Sequence, residues 1–322
     1  MRTDTYVPHP LNPPVTLRVG DAQFNPEAPI YIAVDQGYFR DEGLDVQLVP
    51  TAAPNVAAVL LSTGQIDFAM IGPDPSLFNA MERGIEIRIV ASAVRNLATD
   101  RTGQVIVRSD LLESGAYTSP ADLKGASIGV TGDQGQFFVE RFLARAGLSG
   151  QDVRFVQLGL ADILPALQSK AIAAAWEVEP LATMATNQGL AKPVATTGEL
   201  LPGNIGNALL MRPDLEKNQP DAAQHFVLAY MRALRDYYHA FNRKDTDRRV
   251  VIQSLVGHTP VKDPKLFDSI GMQSVDPNGS ITARCHPSWL VEAVGVAAAA
   301  SAVPAVAQAL AVGVAAGAAR RT

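Results

Sequence analysis

The residues best suited to contact a small molecule are an aromatic and a carboxylate that follow one another, Trp176 and Glu177. An indole ring can stack on a flat or apolar part of a ligand, and a carboxylate accepts hydrogen bonds from an amino or amidine group. The alternative is that the tryptophan packs in a core and the glutamate is a surface charge. If both contact ligand, the carboxylate favours a nitrogenous or cationic molecule over an oxyanion.

A polar loop before a predicted helix supplies the next two candidates, Thr131 and Gln134. The loop reads Thr-Gly-Asp-Gln-Gly, and the predicted helix runs from Gln136 to Ala146. Backbone N–H groups at a helix start have no intrahelical partner and favour an anionic or polar group. Asp133 weakens the expectation of an anion, and either Thr131 or Asp133 could instead cap the helix.

A second loop follows a predicted buried strand, and its residues Gly72, Asp74 and Pro75 are candidate walls of a ligand cleft. Two prolines in the sequence Gly-Pro-Asp-Pro restrict the backbone of this loop. A rigid loop at the end of a strand is where α/β folds commonly place ligand contacts. The alternative for Asp74 is that it only caps the following helix.

Three more candidates lie next to other predicted strands: Gln23 and Phe24 after the first strand, and Asn207 at the start of a late one. The ring of Phe24 would cover the body of the ligand, and the Asn207 amide would hydrogen-bond to a polar group on it. The alternative for Gln23 and Phe24 is an ordinary solvent-exposed loop.

Signatures of catalysis, metal binding and nucleic-acid binding are absent from the sequence. There is no GxSxG, Walker A or GxGxxG motif. The five histidines form neither an i, i+4 pair nor an HExxH pattern, and the single cysteine, Cys285, allows no intrachain disulfide. The net charge is -5, and the sequence has no run of Lys or Arg that could form a surface for binding nucleic-acid phosphates. We therefore expect no metal, no cofactor and no nucleic acid.

The order of the predicted elements indicates two α/β lobes. Strand-like and helix-like segments alternate from Val15 to Ala93 and again from Ser127 to Trp176, which favours mostly parallel sheets covered by helices. The segment Leu61 to Ala69 can be laid over Leu167 to Ala175, because in both a helix ends and a short buried strand begins. Repeated units of this kind predict two lobes with the ligand between their strand ends.

The predicted lobes are discontinuous in sequence. Lobe I consists of residues 15–104 and 204–290, and lobe II of residues 105–203. The chain would cross between them twice, near Val105 and near Leu201.

Both ends of the sequence leave alternatives open. No apolar signal-peptide segment follows Met1, so either the chain stays inside the cell or the sequence as given lacks its export signal. Residues 291–322 are an Ala/Val-rich tail, and no charged residue lies between Gly295 and Ala319. A membrane anchor, an ordinary buried helix and a reading-frame error are the three interpretations of this tail.

Four segments resemble a known family of binding proteins. They are Pro29-x-Tyr31-x-Ala33-x-x-x-Gly37-Tyr38-Phe39-x-x-Glu42-Gly43-Leu44-x-Val46, Leu61–Ala69, Asp122–Val130 and Trp176–Pro180. On these segments the chain, from roughly Leu17 to Thr282, resembles the solute-binding proteins of ABC transporters for nitrate, sulfonate, taurine and thiamin pyrimidine precursors. It departs from the family at Lys170 and Ala173, where Gly and Asp are usual.

The resemblance implies an α/β, two-lobed type II periplasmic-binding-protein fold with two crossover segments. It implies that the chain is not an enzyme and that it captures a small organic ligand for import: a sulfonate, an aromatic acid or a pyrimidine-like nitrogenous molecule. The implied partner is the membrane permease of an ABC transporter, and the implied location is periplasmic or extracytoplasmic. A monomer is the default for this fold.

A cytosolic enzyme on the same fold is the alternative. Aromatic sulfinate desulfinases resemble this chain but use a cysteine in the cleft, whereas Cys285 is far in sequence from every predicted cleft loop. Yeast-type pyrimidine-precursor synthases have a Cys-rich motif, and this chain has one cysteine. A desulfinase-like or pyrimidine-precursor enzyme is the second interpretation.

Overall fold

The computed structural model describes residues 7–51, 54–72, 77, 81–82, 84–95, 97–202, 205–259, 261–268, 270–271 and 273–275. Four features of the sequence analysis lie outside these residues: Asp74, Pro75, Cys285 and the tail 291–322.

The described strands are β1 Val15–Asp21, β2 Leu44–Pro50, β3 Phe68–Ile71, β4 Arg88–Arg95, β5 Gly103–Arg108, β6 Ser127–Val130, β7 Arg154–Gln157, β8 Ala174–Val178, β9 Ala191–Thr196 and β10 Ile205–Met211. The described α-helices are α1 Ala28–Asp35, α2 Tyr38–Asp41, α3 Pro54–Ser62, α4 Ser109–Glu113, α5 Gly132–Ala144, α6 Leu160–Gln168, α7 Leu181–Asn187, α8 Thr197–Leu200, α9 Leu215–Asn218, α10 Pro220–Tyr237 and α11 Arg249–His258. Short 3-10 helices cover Asn25–Glu27, Pro120–Leu123, Gly150–Asp152 and Pro264–Asp268, and a π-helix covers Tyr238–Arg243.

The strands form two five-stranded sheets, in the orders β2-β1-β3-β10-β4 and β7-β6-β8-β5-β9. Four strands of each sheet share one direction, as the expectation of mostly parallel sheets requires, and one strand is reversed. Strand β10 runs antiparallel to β3 and β4, and β5 runs antiparallel to β8 and β9. Each reversed strand is the first that the chain forms after it crosses from the other sheet. The two-lobed α/β fold predicted from the resemblance is confirmed, and each of its sheets is mixed.

The first lobe is held together by the long helix α10, which packs one apolar face on the first sheet. The ring of Phe226 lies between Phe39 and Phe68, with centroid distances of 4.7 and 3.8 Å. All three side chains are buried, and each buried ring of this size contributes roughly 1.5–3 kcal/mol to stability. Apolar residues recur at helical spacing along this helix, at Phe226, Val227, Tyr230 and Leu234, and together they form the buried face.

The second lobe has its own core, in which helix α5 packs on the second sheet. Phe138 and Phe142 of this helix are buried against Val105 and Ile128 of the sheet and against Trp176. The Phe138 and Trp176 rings stack with a centroid distance of 4.4 Å and an interplanar angle of 7°. The core of this lobe therefore extends to the strand residue that the sequence analysis assigned to ligand.

The two crossover segments are joined to each other by a side chain. Thr197 Oγ1 accepts a hydrogen bond from the Gly103 N–H at 2.9 Å and donates one to the Gly103 carbonyl at 2.7 Å. The chain reaches the second sheet at Gly103, two residues before Val105, near which the first crossing was predicted. Leu201 does lie in the second crossover, between α8 and β10.

A later segment of the chain ties the crossover region to the second lobe. The Ser274 N–H donates to Asp100 Oδ2 at 2.9 Å, and the Gly271 N–H donates to Glu179 Oε1 at 3.0 Å. No pattern in the sequence predicts these contacts. Within the described ranges, no helix has the length and apolarity needed to cross a membrane.

The carboxylate of Asp67 should be a main stabilising group of the first lobe. It is 3% exposed, accepts a bond from the Arg18 N–H at 2.6 Å, and pairs with Arg212 Nε at 2.6 Å. Asp67→Ala leaves the Arg212 charge and a strand N–H without this partner, so we expect the free energy of unfolding to fall by ~3 kcal/mol in urea denaturation. The matched control is Asp214→Ala, which removes a half-exposed partner of the same arginine and should change stability by less than ~1 kcal/mol. Equal effects of the two substitutions would contradict this assignment.

Candidate functional site

A cavity of about 550 Å3, counting its open mouth, lies between the two lobes. Its walls come from both sheets and from both crossovers. The lining residues are Phe24, Asn25, Pro26, Val94, Thr102, Gly103, Gln134, Phe138, Trp176, Val178, Glu179, Thr197, Gly206 and Asn207.

The first lobe contributes the short helix Asn25–Glu27, which directly follows β1. Pro26 fixes the backbone of its first turn. The preceding residue, Phe24, is half-buried and lines the cavity, as do Asn25 and Pro26. Gln23 is exposed, is not among the lining residues, and has a left-handed backbone with φ of 58°.

The carboxamide of Asn25 is the most informative polar group of the site. The residue is 3% exposed, and neither its Oδ1 nor its Nδ2 has a hydrogen-bond partner in the protein. A buried amide without partners lowers stability by roughly 1–3 kcal/mol. Because Asn25 lines the cavity, a ligand there could supply both an acceptor and a donor to it.

The second lobe contributes the floor of the cavity, the indole of Trp176. Its ring lies against two backbone positions that have no side chain: a Cβ at Gly103 would be 2.3 Å from indole Cζ2, and one at Gly135 would be 2.9 Å from Cδ1. The indole is 4% exposed and stacks on Phe138. Trp176 is thus both a core residue and a lining residue, so Trp176→Ala should lower stability as well as affect the cavity.

Gln134 is the lining residue that connects the lobes. It lies in the first turn of α5, which begins at Gly132, so the segment expected to be a loop before Gln136 is already helical. Gln134 Nε2 donates to the Gly206 carbonyl of the first lobe at 3.3 Å. A Cβ at Gly72 would lie 2.9 Å from the same Nε2, so Gly72 adjoins this contact without lining the cavity.

Asn207 lines the cavity from strand β10. The register between β10 and β4 shifts on both sides of this residue, between Ile205 and Asn207 and between Asn207 and Ala208. Such irregularities reorient a side chain relative to a regular strand. Thr131, by contrast, is not a lining residue, although its Oγ1 is buried without a partner.

Glu177 lies away from the cavity, on the opposite face of the second sheet from Trp176. Alternation along β8 requires this, since neighbouring strand residues point to opposite faces. Glu177 is fully buried, its Oε1 accepts a bond from the Val178 N–H, and its Oε2 has no partner. Burial raises the pKa of this carboxyl to about 8, with a smaller contribution from the nearby Glu179 charge.

The carboxylate that does line the cavity is Glu179, which the sequence analysis did not select. Its oxygens accept bonds from Gln104 Nε2, from the N–H and Oγ1 of Thr183, and from the Gly271 N–H. Burial raises its pKa, while these hydrogen bonds lower it. Glu179 therefore brings negative potential to the cavity wall, but its hydrogen-bonding capacity is largely used within the protein.

The predicted site residues thus divide into three groups. The structure brings four of them together around the cavity: Phe24, Gln134, Trp176 and Asn207. It places Gln23, Gly72, Thr131 and Glu177 outside the lining, and Asp74 and Pro75 lie outside the described residues. Ligand contact by any of these ten residues stays a prediction.

The charged side chains of the described lining are acidic only. Among the described residues that line the cavity there is one carboxylate and no Lys, Arg or His. The described residues also contain no cluster of three or more His, Cys, Asp or Glu side chains that could hold a metal ion. The described lining is mostly aromatic and apolar, with polar side chains at Asn25, Gln134, Glu179 and Asn207.

Two α/β lobes joined by crossovers around a ligand-sized cavity define the periplasmic-binding-protein fold. Solved structures of this fold superimpose well on the chain. The alkanesulfonate-binding protein SsuA of Xanthomonas axonopodis pv. citri, bound to MOPS, aligns with a TM-score of 0.69 over 88% of this chain and 91% of its own, at 21% identity. At that identity the similarity shows the fold alone.

The chain belongs to the NMT1/THI5 like family, whose sequence profile matches residues 25–240. A Saccharomyces cerevisiae 4-amino-5-hydroxymethyl-2-methylpyrimidine phosphate synthase is 27% identical over 132 residues, which is 41% of this chain and 36% of the synthase. The formylaminopyrimidine-binding protein of Halalkalibacterium halodurans is 31% identical over 103 residues, 32% of this chain and 28% of that protein. The chain therefore spans 36% of the length of the synthase and 28% of that of the binding protein.

The buried carboxyl of Glu177 should make stability depend on pH. Its pKa is raised from 4.5 to about 8, so the native state keeps a proton that the unfolded chain releases. The stability contribution of this carboxyl is full below pH 4.5 and is lost as pH rises to about 8. Glu177→Gln cannot ionise, so at neutral pH we expect a free energy of unfolding higher by ~2 kcal/mol and a flatter pH profile.

Thermal unfolding between acidic and mildly alkaline pH measures this effect. The matched control is Glu113→Gln, which changes an exposed carboxylate and should leave the wild-type pH profile intact. A Glu177→Gln profile parallel to that of the wild type would mean that Glu177 is ionised in the folded protein.

Proposed function

We propose that this chain is a solute-binding protein that captures a neutral or cationic nitrogenous ligand, of the aminopyrimidine type, in the cavity between its lobes. The observation that supports this most directly is the Asn25 carboxamide, which is buried in the cavity wall with neither polar atom bonded. An aminopyrimidine has an amino group beside a ring nitrogen. That edge offers a donor to Asn25 Oδ1 and an acceptor to Nδ2, as a bidentate amide contact requires.

The remaining walls fit a flat, uncharged ring. Phe24 on the first lobe and Trp176 on the second present aromatic surfaces to the same cavity. Aromatic rings hold a planar ligand by stacking. Glu179 adds negative potential, and with no cationic side chain in the described lining, an amino or amidine group is favoured over a sulfonate.

The names of two relatives agree with this ligand class. One is a formylaminopyrimidine-binding protein, and another is a synthase of a methylpyrimidine phosphate. The binding-protein relative and the fold support capture for import by an ABC transporter. Under this proposal a monomer in an extracytoplasmic compartment delivers its ligand to a membrane permease.

The mechanism of capture is closure of the lobes on the ligand. The Gln134 bond to the Gly206 carbonyl joins the lobes directly at one edge of the cavity. The crossovers, joined by Thr197, are the segments about which the lobes would rotate. A ligand that contacts both walls would bind the closed state more tightly than the open state. This difference in affinity would shift the protein toward the closed state.

A thermal-shift screen tests the ligand class. Formylaminopyrimidine, cytosine, benzamidine, an alkanesulfonate and an aromatic acid are each added to the purified chain. We expect the two aminopyrimidines to raise the melting temperature with increasing concentration, because they bind only the native state. A shift with the sulfonate and none with the aminopyrimidines would overturn the proposed ligand. Conversion of a bound pyrimidine into product would instead favour the enzyme alternative.

Asn25→Ala separates a binding role from a structural one. Removing an unpartnered buried amide should raise the free energy of unfolding of the ligand-free protein by ~1 kcal/mol. The same substitution should weaken binding of the aminopyrimidine by roughly 10- to 100-fold in calorimetry, since two hydrogen bonds are lost. Asn187→Ala removes an exposed amide at the end of α7 and is the matched control for both quantities. A stability loss with unchanged affinity would make Asn25 a structural residue.

A further inference from the structure

Three oxygen-bearing side chains meet behind the loop that forms the first wall of the cavity. Tyr31 Oη lies 2.7 Å from Asp21 Oδ1 and 2.6 Å from Glu27 Oε2. Asp21 is 8% exposed, Glu27 is 2% exposed and Tyr31 is fully buried. Both contacts have the length of a hydrogen bond between oxygens.

Counting protons shows that one of the carboxyls is neutral. A tyrosine hydroxyl has a single proton, so it can donate to only one of the two carboxyl oxygens. The second short contact therefore needs a proton on a carboxyl group, which donates to Tyr31 Oη. Two ionised carboxylates beside one hydroxyl, without water, would leave a buried charge unpaired.

Glu27 is the carboxyl that holds this proton. Its burial raises its pKa to about 8, against the opposing effects of its hydrogen bond with Tyr31 and of the bonds it accepts from the Ala22 and Phe24 N–H groups. The neighbouring charge of Asp21 raises the pKa further. A protonated Glu27 carboxyl would donate to Tyr31 Oη, and the Tyr31 hydroxyl would then be left to donate to Asp21.

The same two carboxyls hold the loop between them. Glu27 accepts hydrogen bonds from the Ala22 N–H at 3.1 Å and from the Phe24 N–H at 3.4 Å. Asp21 Oδ1 accepts one from the Gln23 N–H at 3.0 Å. Every backbone N–H from residue 22 to residue 24 therefore bonds to one of the two carboxyls, directly before Asn25.

We propose that Glu27 is a positioning residue for the ligand site: by sharing a proton with Tyr31 and Asp21 it holds Phe24 and Asn25 in the binding arrangement, and loss of that proton releases the ligand. Deprotonation would place two negative charges around one hydroxyl. Their repulsion and the desolvation of the new charge favour a rearranged loop. The binding part of this inference rests on the proposed function, whereas the proton sharing does not.

The charged neighbours of this cluster are few. The ring of His258, from α11, stacks on Tyr31 with a centroid distance of 4.7 Å and an interplanar angle of 4°. His258 Nε2 in turn lies 3.0 Å from Asp35 Oδ1. These two groups and the cluster itself are the titratable side chains that the described contacts place here, and no Lys or Arg among the described residues is recorded in contact with it.

The first experiment follows the loop by NMR without any ligand. In the wild type, the backbone amide resonances of Ala22 and Phe24 should shift together with the Glu27 side-chain carboxyl carbon, with a midpoint near pH 8. Glu27→Gln keeps a donor to Tyr31 and cannot ionise, so its two amide resonances should not titrate. A Glu27 carboxyl that is already ionised at neutral pH would overturn the proton sharing.

The second experiment measures cytosine binding by calorimetry across the same pH range. Wild-type affinity should fall about tenfold between about pH 7 and about pH 9, because only the protonated form binds well. Glu27→Gln should bind like the wild type at neutral pH and keep its affinity at the alkaline end. An alkaline decline that persists in Glu27→Gln would overturn the positioning role.

Two control variants isolate Glu27 from its neighbours. His258→Phe keeps the ring stack on Tyr31 without a titrating imidazole, and Glu177→Gln removes the other carboxyl with a pKa near 8. In both variants the Ala22 and Phe24 amide resonances should titrate as in the wild type. If the titration is lost in either variant, its assignment to Glu27 is overturned. If cytosine binds at no pH while the amides titrate as expected, the ligand class fails and the proton sharing stands.

Discussion

The cavity depends on the close approach of the Trp176 indole to the backbone of strand β5. Because Gly103 has no side chain, the ring lies across the point where the chain enters the second sheet. The same glycine exchanges two hydrogen bonds with Thr197 of the other crossover. The floor of the site and the joint between the lobes therefore share one residue, and any side chain larger than hydrogen there would displace both.

The polar groups of the site differ in whether the protein already satisfies them. Glu179 receives bonds from three parts of the chain and is a structural tie as much as a wall. Asn25 receives none. Buried polar groups in folded proteins nearly always have partners, which is why the proposed ligand contact is assigned to this amide. The fold is similar to that of a sulfonate-binding protein, but the described lining lacks a cation for such an anion.

Much of the fold could be predicted from the sequence, because apolar periodicity reflects burial. The alternating segment at Val15 and the helical spacing around Phe226 became β1 and α10. The strands β5 and β9 were missed, and with them the antiparallel pairing, since strand direction depends on how the chain crosses between lobes. The start of α5 was placed too late, because its first turn contains two glycines and an aspartate, which normally favour loops.

The lining of the cavity was predicted only in part, for two physical reasons. Trp176 and Glu177 are neighbours in sequence, but strand alternation sends them to opposite faces of the sheet, and Glu179 is the carboxylate that reaches the cavity. Asn25 was overlooked in favour of Gln23 and Phe24, because a sequence cannot show that an amide is buried without partners. That property depends on Pro26 and on the carboxyls that hold the loop, which fold into place together.

The most direct test of the account is a crystal structure of the chain grown with formylaminopyrimidine. We predict a pyrimidine ring in the cavity between Phe24 and Trp176, with its amino group and ring nitrogen within hydrogen-bond distance of Asn25 Oδ1 and Nδ2. A complex in which Asn25 remains unbonded, or in which the pyrimidine lies outside this cavity, would contradict the assignment of the site.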